Sequence, residues 1–147
     1  DLQTERKDVI YARVSTHNQA KRGDLDRQIE KIKLFAIDHN VQNLCILSDI
    51  GSGLNDNRRK LQKLLSMVQN GEVNRIFISY KDRLTRFGFN YIKRICDFHD
   101  VQIIIVSEEV GHKSDSEELA EDIIALIHSF SGKLYDLRHK IKESIDD

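Results

Sequence analysis

Four short apolar runs, each followed by a stretch of helical periodicity, constrain this chain more than any other feature. The runs are residues 8–14 (DVIYARV), 44–48 (LCILS), 75–79 (RIFIS) and 102–106 (QIIIV). They are too short for helices, and their apolar residues do not alternate with polar ones, as expected of strands covered on both faces. Between them, Leu25, Ile29, Ile32 and Ala36, with Phe35 beside them, predict a helix over about 24–40. Leu61, Leu64, Leu65 and Val68 predict a second, capped by Asn57 and ended by Asn70-Gly71. Tyr91, Ile92, Ile95 and Phe98 predict the inward face of a third, over about 84–99. Segments 15–23 and 49–53 read as loops. This alternation argues an α/β fold: a mostly parallel open sheet of four or five strands with helices on both faces. Such sheets bind ligands at the carboxyl ends of their strands.

The last helix has a different pattern. Ser114 and Glu117 stand in capping-box spacing, and Ile123, Ile127, Phe130, Leu134, Leu137 and Ile141 then alternate by four and three residues. The length of this segment and its polar opposite face predict an oligomerisation helix over 114–147 rather than a helix packed wholly on its own sheet. The organisation expected is a linker remnant over 1–7 (DLQTERK), an α/β core over 8–113 and the long helix over 114–147. A chain of 147 residues is the length of one domain. Its 23 basic and 24 acidic residues leave a net charge of −1, so any case for a nucleic-acid partner must be local. No apolar run approaches the roughly 20 residues of a membrane span. Cys45 and Cys96 lie in apolar segments without metal-ligand spacing and read as reduced thiols of a cytoplasmic-type protein.

The strand ends carry the chemistry. The first is followed by Ser15-Thr16-His17-Asn18-Gln19, without the glycines and GK[ST] of a phosphate-binding loop. Arg13 and Ser15, two apart, point to one side of an extended chain. A guanidinium there can hold a phosphate against the hydroxyl. After the third strand, Lys81-Asp82-Arg83-Leu84-Thr85-Arg86 opens the predicted helix with three cations and one acid, and Arg83 and Arg86 would share a face. Cations at a helix start oppose its dipole. Arg58 and Arg59 repeat the anomaly at the second helix, and a shared anion would explain both. Asp82 suits either protonation of a leaving alkoxide or orientation of an arginine. His17 is a weak base for Ser15, because its position in a loop fixes no geometry. Asp49, Asp82 and Glu108 all follow strands and form a rival set for Mg²⁺.

These residues match a known pattern. Tyr11-Ala12-Arg13-Val14-Ser15-Thr16 resembles the opening motif of the serine recombinases, the resolvase and invertase family. Lys81–Arg86 resembles their second motif, and Asp49-Ile50-Gly51-Ser52-Gly53 followed by Arg58 is similar to the loop between them. Gln19 and Gln28 fall where the family carries glutamines. GSGLN (51–55) and RFGF (86–89) resemble the small serine transposases of insertion sequences, in which a DNA-binding domain precedes the catalytic one. The resemblance implies a resolvase-like domain, without that DNA-binding domain, that cleaves DNA and rejoins it. Ser15 would be the nucleophile, forming a 5′-phosphoserine linkage. Arg13, Arg58, Arg83 and Arg86 would bind the scissile phosphate, Asp82 would act as acid or arginine-orienter, and Gln19 would support the site. No cofactor or metal is implied. The partners implied are DNA and further copies of the chain, as a homodimer and then an active tetramer, with no membrane. The chain departs from the family in its long helix, which reads Phe130-Ser131-Gly132-Lys133 where many relatives carry Phe-x-x-Phe-Glu-Arg. Gly132 costs up to about 1 kcal/mol there relative to alanine. Two rival functions are a Mg²⁺-dependent nuclease or phosphotransferase and an inactive recombinase-like DNA-assembly module.

Overall fold

A computed structural model describes residues 6–41, 43–107 and 113–146. Contacts divide the chain into two units, Asp1–Glu108 and Glu109–Asp147. The first holds a four-stranded sheet of β1 (Lys7–Val14), β2 (Leu44–Ile50), β3 (Val73–Ile78) and β4 (Gln102–Ile105), in the order β2-β1-β3-β4 and parallel throughout. β1 is central, and every residue from Asp8 to Val14 is buried. Its alternate side chains enter two cores. Val9 and Tyr11 join Leu61, Leu64, Val68, Ile76 and Leu84, whereas Ile10 joins Ile32, Ala36 and Phe77. This accounts for an apolar run without alternation, since neither face of the strand meets water.

The helices are α1 (His17–Lys21), α2 (Asp24–Ile37), α3 (Arg59–Gln69), α4 (Lys81–Leu84), α5 (Phe89–Phe98) and α6 (Lys113–Asp146). α2 covers the Ile10 face of the sheet, and α3 and α5 cover the Tyr11 face. Several expectations are corrected. The 15–23 loop contains α1, which Thr16 and Gln19 start with a reciprocal capping box. The helix expected over 84–99 is two, because Thr85 is extended (φ −157°, ψ 151°) and Gly88 takes φ +85° before α5. A residue with a Cβ rarely holds that angle, so Gly88 fixes the break. Tyr91 and Phe98 point outward, leaving Phe89, Ile92, Ile95 and Cys96 to pack inward. Asn57 does not cap α3, whose N-cap is Arg58. α2 ends at Ile37, before Asn40 at φ +56°, a left-handed angle that asparagine tolerates.

A cluster at the opposite, amino ends of the strands fastens β1 to β3. The Asp8 carboxylate accepts from Arg75 Nε (3.0 Å) and Nη2 (2.7 Å), and Arg75 Nη1 donates to the carbonyl of His39 at 3.0 Å.

The second unit is described by α6, 34 residues that rise about 50 Å. It begins one residue before the expected 114; the capping side chain of Ser114 lies outside the described residues. α6 runs without interruption through Gly132. All six seam residues are substantially exposed, from 43% at Ile123 to 63% at Phe130. Among the described residues no helix is long and apolar enough to cross a membrane.

Candidate active site

The carboxyl ends of β1, β2 and β3 meet in one polar network. Arg13 lies on the Tyr11 face of β1 and is fully buried. Its Nε donates to the carbonyl of Arg83 (3.3 Å), Nη2 to that of Asp82 (2.7 Å), and Nη1 to both the carbonyl of Gly51 (3.0 Å) and the Oγ of Ser15 (3.2 Å). Ser15, one step beyond the strand, is half-buried. Gln19 Oε1 accepts the backbone N–H of Ser15 at 2.8 Å and that of Thr16 at 3.1 Å, so the α1 capping box also fixes the serine backbone. Gln28 on α2 brackets the backbone of Arg13, accepting its N–H and donating to its carbonyl, each at 3.0 Å.

Arg58 is equally buried. Its Nε donates to the carbonyl of Asn55 (2.8 Å), Nη1 to Tyr11 OH (2.7 Å) and to the carbonyl of Arg83 (3.3 Å), and Nη2 to the carbonyl of Leu84 (2.5 Å). A four-residue helix cannot satisfy its own terminal carbonyls. In α4 those of Asp82, Arg83 and Leu84 are satisfied by Arg13 and Arg58, two cations at the helix end that favours cations. The expected conflict at α3 is resolved similarly. The Arg58 guanidinium faces α4, and the Asp49 carboxylate from β2 stands at the start of α3, accepting the N–H groups of Lys60 (3.0 Å) and Leu61 (2.9 Å). The Tyr11 hydroxyl donates to Asp49 at 2.8 Å while accepting from Arg58. Burial pushes the Tyr11 phenol well above its ordinary range, against the opposing charge of Arg58, and the bond to Asp49 adds to the rise.

Arg83 is buried, donates from Nη1 to the carbonyl of Arg13 at 3.0 Å, and stacks 5.5 Å from the Tyr80 ring centre. Arg86 lies beyond the break at Thr85, so it shares no helix face with Arg83, which corrects the expected i, i+3 pairing. It is carried back by its backbone N–H, which donates to the carbonyl of Gly53 at 3.0 Å. Its side chain is 3% exposed and donates from Nη1 to Asp82 Oδ2 at 2.7 Å, whereas the Asp82 side chain is 45% exposed.

The structure thus joins Arg13, Ser15, Gln19, Arg58, Asp82, Arg83 and Arg86 in a single network. It adds Tyr11 and Gly53, and gives Asp49 and Gln28 roles in the network that the sequence did not assign them. Tyr11 was visible as the residue two before Arg13 on the same strand face, and Asp49 as the acid ending an apolar run. His17 is exposed on α1. Asp49 is engaged by two backbone N–H groups and a phenol, Asp82 by Arg86, and Glu108 lies outside the described residues. Among the described residues no three His, Cys, Asp or Glu side chains cluster as a metal site would need. Four guanidinium groups against the carboxylates of Asp49 and Asp82 leave an excess of positive charge around one hydroxyl.

This is an α/β sheet whose carboxyl-end loops hold a serine among arginines, a centre suited to a phosphoryl group. The chain belongs to the resolvase family: the model of the resolvase N-terminal domain matches residues 9–144. A putative resolvase of Acanthamoeba polyphaga mimivirus is 36% identical over 122 residues, 83% of this chain and 60% of the relative. A second from the same virus is 34% identical over 130 residues, 88% of this chain and 64% of the relative. The chain therefore spans less than two thirds of these relatives. Among solved structures, the C-terminal catalytic domain of ISC1926 TnpA, an IS607-like serine recombinase, superposes with a TM-score of 0.81 at 38% identity, covering 95% of this chain and 99% of that one. A serine recombinase from Sulfolobus solfataricus gives 0.77 at 40% identity, over 90% of this chain and 88% of that one.

Proposed function

We propose that this chain is the catalytic domain of a serine recombinase of the transposase type, which cleaves DNA and rejoins it without metal or ATP. The observation that carries the reading is the Ser15 hydroxyl held by Arg13 at 3.2 Å, within a cluster of arginines at the strand ends. Ser15 Oγ attacks the phosphorus of a DNA phosphodiester in line with the 3′ oxygen. The Oγ–P bond forms, the P–O3′ bond breaks, and the serine proton is lost as the departing 3′ oxygen gains one. The product is a 5′-phosphoserine and a free 3′ hydroxyl. The covalent link conserves the phosphodiester energy for resealing. Catalysis of this kind is mostly positioning and charge stabilisation, which fixed guanidinium groups supply.

Arg13 holds the nucleophile, and Arg86, its side chain 3% exposed and paired with the half-exposed Asp82, supplies charge for the phosphate. Arg58 and Arg83, buried against carbonyls, supply charge and hold the strand ends together. The bond from Arg86 supports the orienting role for Asp82. Gln19 fixes the backbone of Ser15. Residues 8–113 are the catalytic core, and 114–147 form the helix through which copies pair as a homodimer and then as the active tetramer. The protein acts on DNA in the cytoplasm, and sequence recognition belongs to a separate DNA-binding domain.

The test uses the full-length protein with DNA carrying the element's ends, in EDTA, on a denaturing gel. Wild type forms an adduct at 5′ DNA ends and Ser15→Ala forms none. Cleavage that appears only with Mg²⁺, in both proteins, would replace this reading with a metal-dependent nuclease. An intact protein that binds the ends but never cleaves would make the chain an assembly module.

A further inference from the structure

We propose that Gly53 is a positioning residue, whose missing side chain sets the spacing between Arg13 and Arg86 and thereby the hold of Arg13 on the Ser15 hydroxyl. The inference rests on the reading of Ser15 as the nucleophile. Gly53 is buried in the loop between β2 and α3. Its φ lies outside the left-handed region, so the backbone makes no demand for glycine here; the demand is for space. A Cβ at this position would stand 3.2 Å from Arg13 Nη2, 3.5 Å from Arg13 Cζ and 3.2 Å from Arg86 Cβ.

Neither neighbour is free to retreat. The Arg13 guanidinium is tied to the carbonyls of Asp82, Gly51 and Arg83 as well as to Ser15. Arg86 is tied to Gly53 itself, because its N–H donates to the Gly53 carbonyl, and its Cβ moves only with its backbone. A methyl group therefore tilts the Arg13 plane or spreads the 51–55 loop from the 82–86 segment. The bonds with least slack are the long ones, from Nη1 to Ser15 Oγ at 3.2 Å and from Nε to the Arg83 carbonyl at 3.3 Å. Spreading the loop also stretches the bond from the Arg86 N–H to the Gly53 carbonyl. Both motions act on groups around the nucleophile, at a buried glycine. Gly51, in the same loop, has a looser environment: a Cβ there would stand 3.4 Å from Arg58 Cγ and 3.5 Å from its Cδ.

The experiment measures single-turnover adduct formation in EDTA by the full-length protein, wild type beside Gly53→Ala, with DNA affinity and thermal melting followed in parallel. The rate in Gly53→Ala is expected to fall roughly tenfold or more, as sub-ångström misplacement of reacting groups does. Affinity is expected to stay within about twofold, which marks loss of an interaction made only in the transition state. A double-mutant cycle supplies the second reading. Arg13→Lys removes the Nη2 that the methyl group would meet, so Gly53→Ala lowers the melting temperature less in that background than in wild type. A Gly53→Ala protein that folds only in the Arg13→Lys background gives the same support. Equal losses in the two backgrounds would overturn the proposal, as would a rate that falls only as far as affinity does. A robust wild-type adduct undiminished in Gly53→Ala overturns this inference alone. Absence of the adduct from wild type overturns the proposed function and this inference with it.

Discussion

Arg13 lies near the end of β1 and Ser15 one step beyond it, and Nη1 of the arginine donates to Oγ of the serine at 3.2 Å. The arginine does not depend on that bond, since three backbone carbonyls hold it as well. Ser15→Ala therefore costs about 1 kcal/mol or less. We expect it to fold, to melt within a few degrees of wild type by circular dichroism, and to form no DNA adduct. A melted or aggregated mutant would remove the basis for calling Ser15 catalytic.

Asp49 joins β2, α3 and the Arg58 network through one carboxylate. Removing it leaves the N–H groups of Lys60 and Leu61 without their acceptor and the Tyr11 hydroxyl without its own. Asp49→Ala is expected to lower stability by about 2 kcal/mol, combining the loss of a helix cap with that of a part-buried hydrogen bond. Urea unfolding measures this directly, and a change within about 0.5 kcal/mol, as at an ordinary surface position, would deny Asp49 its capping role.

The buried phenol of Tyr11 makes stability depend on alkaline pH. Its folded pKa is raised above the ordinary value of 10.0, chiefly by burial. As pH rises past that value the unfolded chain gives up this proton and the folded one keeps it, so stability is full below about pH 10 and declines above it. Cys96, pushed up to about 11 by burial, acts in the same sense. Tyr11→Phe should flatten part of the decline in unfolding free energy above about pH 10. An unchanged slope would show that Tyr11 ionises as freely in the folded protein as in the unfolded one.

The α6 seam carries the oligomer prediction. Ile127 and Leu134 are 56% and 50% exposed in the single chain. Replacing both by glutamate should shift the protein toward monomer in sedimentation velocity, and leave the far-ultraviolet signal of the sheet domain intact. An oligomer that survives both changes would place its interface elsewhere.

With a net charge of −1, the isolated 147-residue chain should bind DNA weakly. Dissociation constants are expected on the order of 10⁻⁴–10⁻⁶ M, as for non-specific binding, and weaker in added salt. A tight, sequence-specific complex in a mobility-shift assay would contradict this.

Much of the fold was legible because periodicity is a local property. The DVIYARV run fixes a strand buried on both faces, and Leu61, Leu64 and Val68 fix the inner face of α3. The break between α4 and α5 was not, because Tyr91, Ile92, Ile95 and Phe98 fit a single amphipathic helix well. Its causes are an extended Thr85, whose hydroxyl donates to the Phe87 carbonyl at 2.7 Å, and the left-handed Gly88. α1 was hidden because its start is a four-residue side-chain exchange with no apolar periodicity.

The sequence by itself determined the class of fold, through the alternation of strands and helices, and marked the serine and arginines at the strand ends through their motifs. Tertiary structure alone decided what the charged residues do. Asp49, a metal-ligand candidate on paper, caps α3. Arg58, a cation at a helix start, satisfies carbonyls at the end of α4. Arg13 and Arg83, 70 positions apart, each donate to the other's backbone carbonyl. The reason is that a guanidinium or carboxylate takes its role from the donors and acceptors within 3 Å or so of it. Those neighbours are set by the strand order β2-β1-β3-β4, which places the ends of three strands side by side.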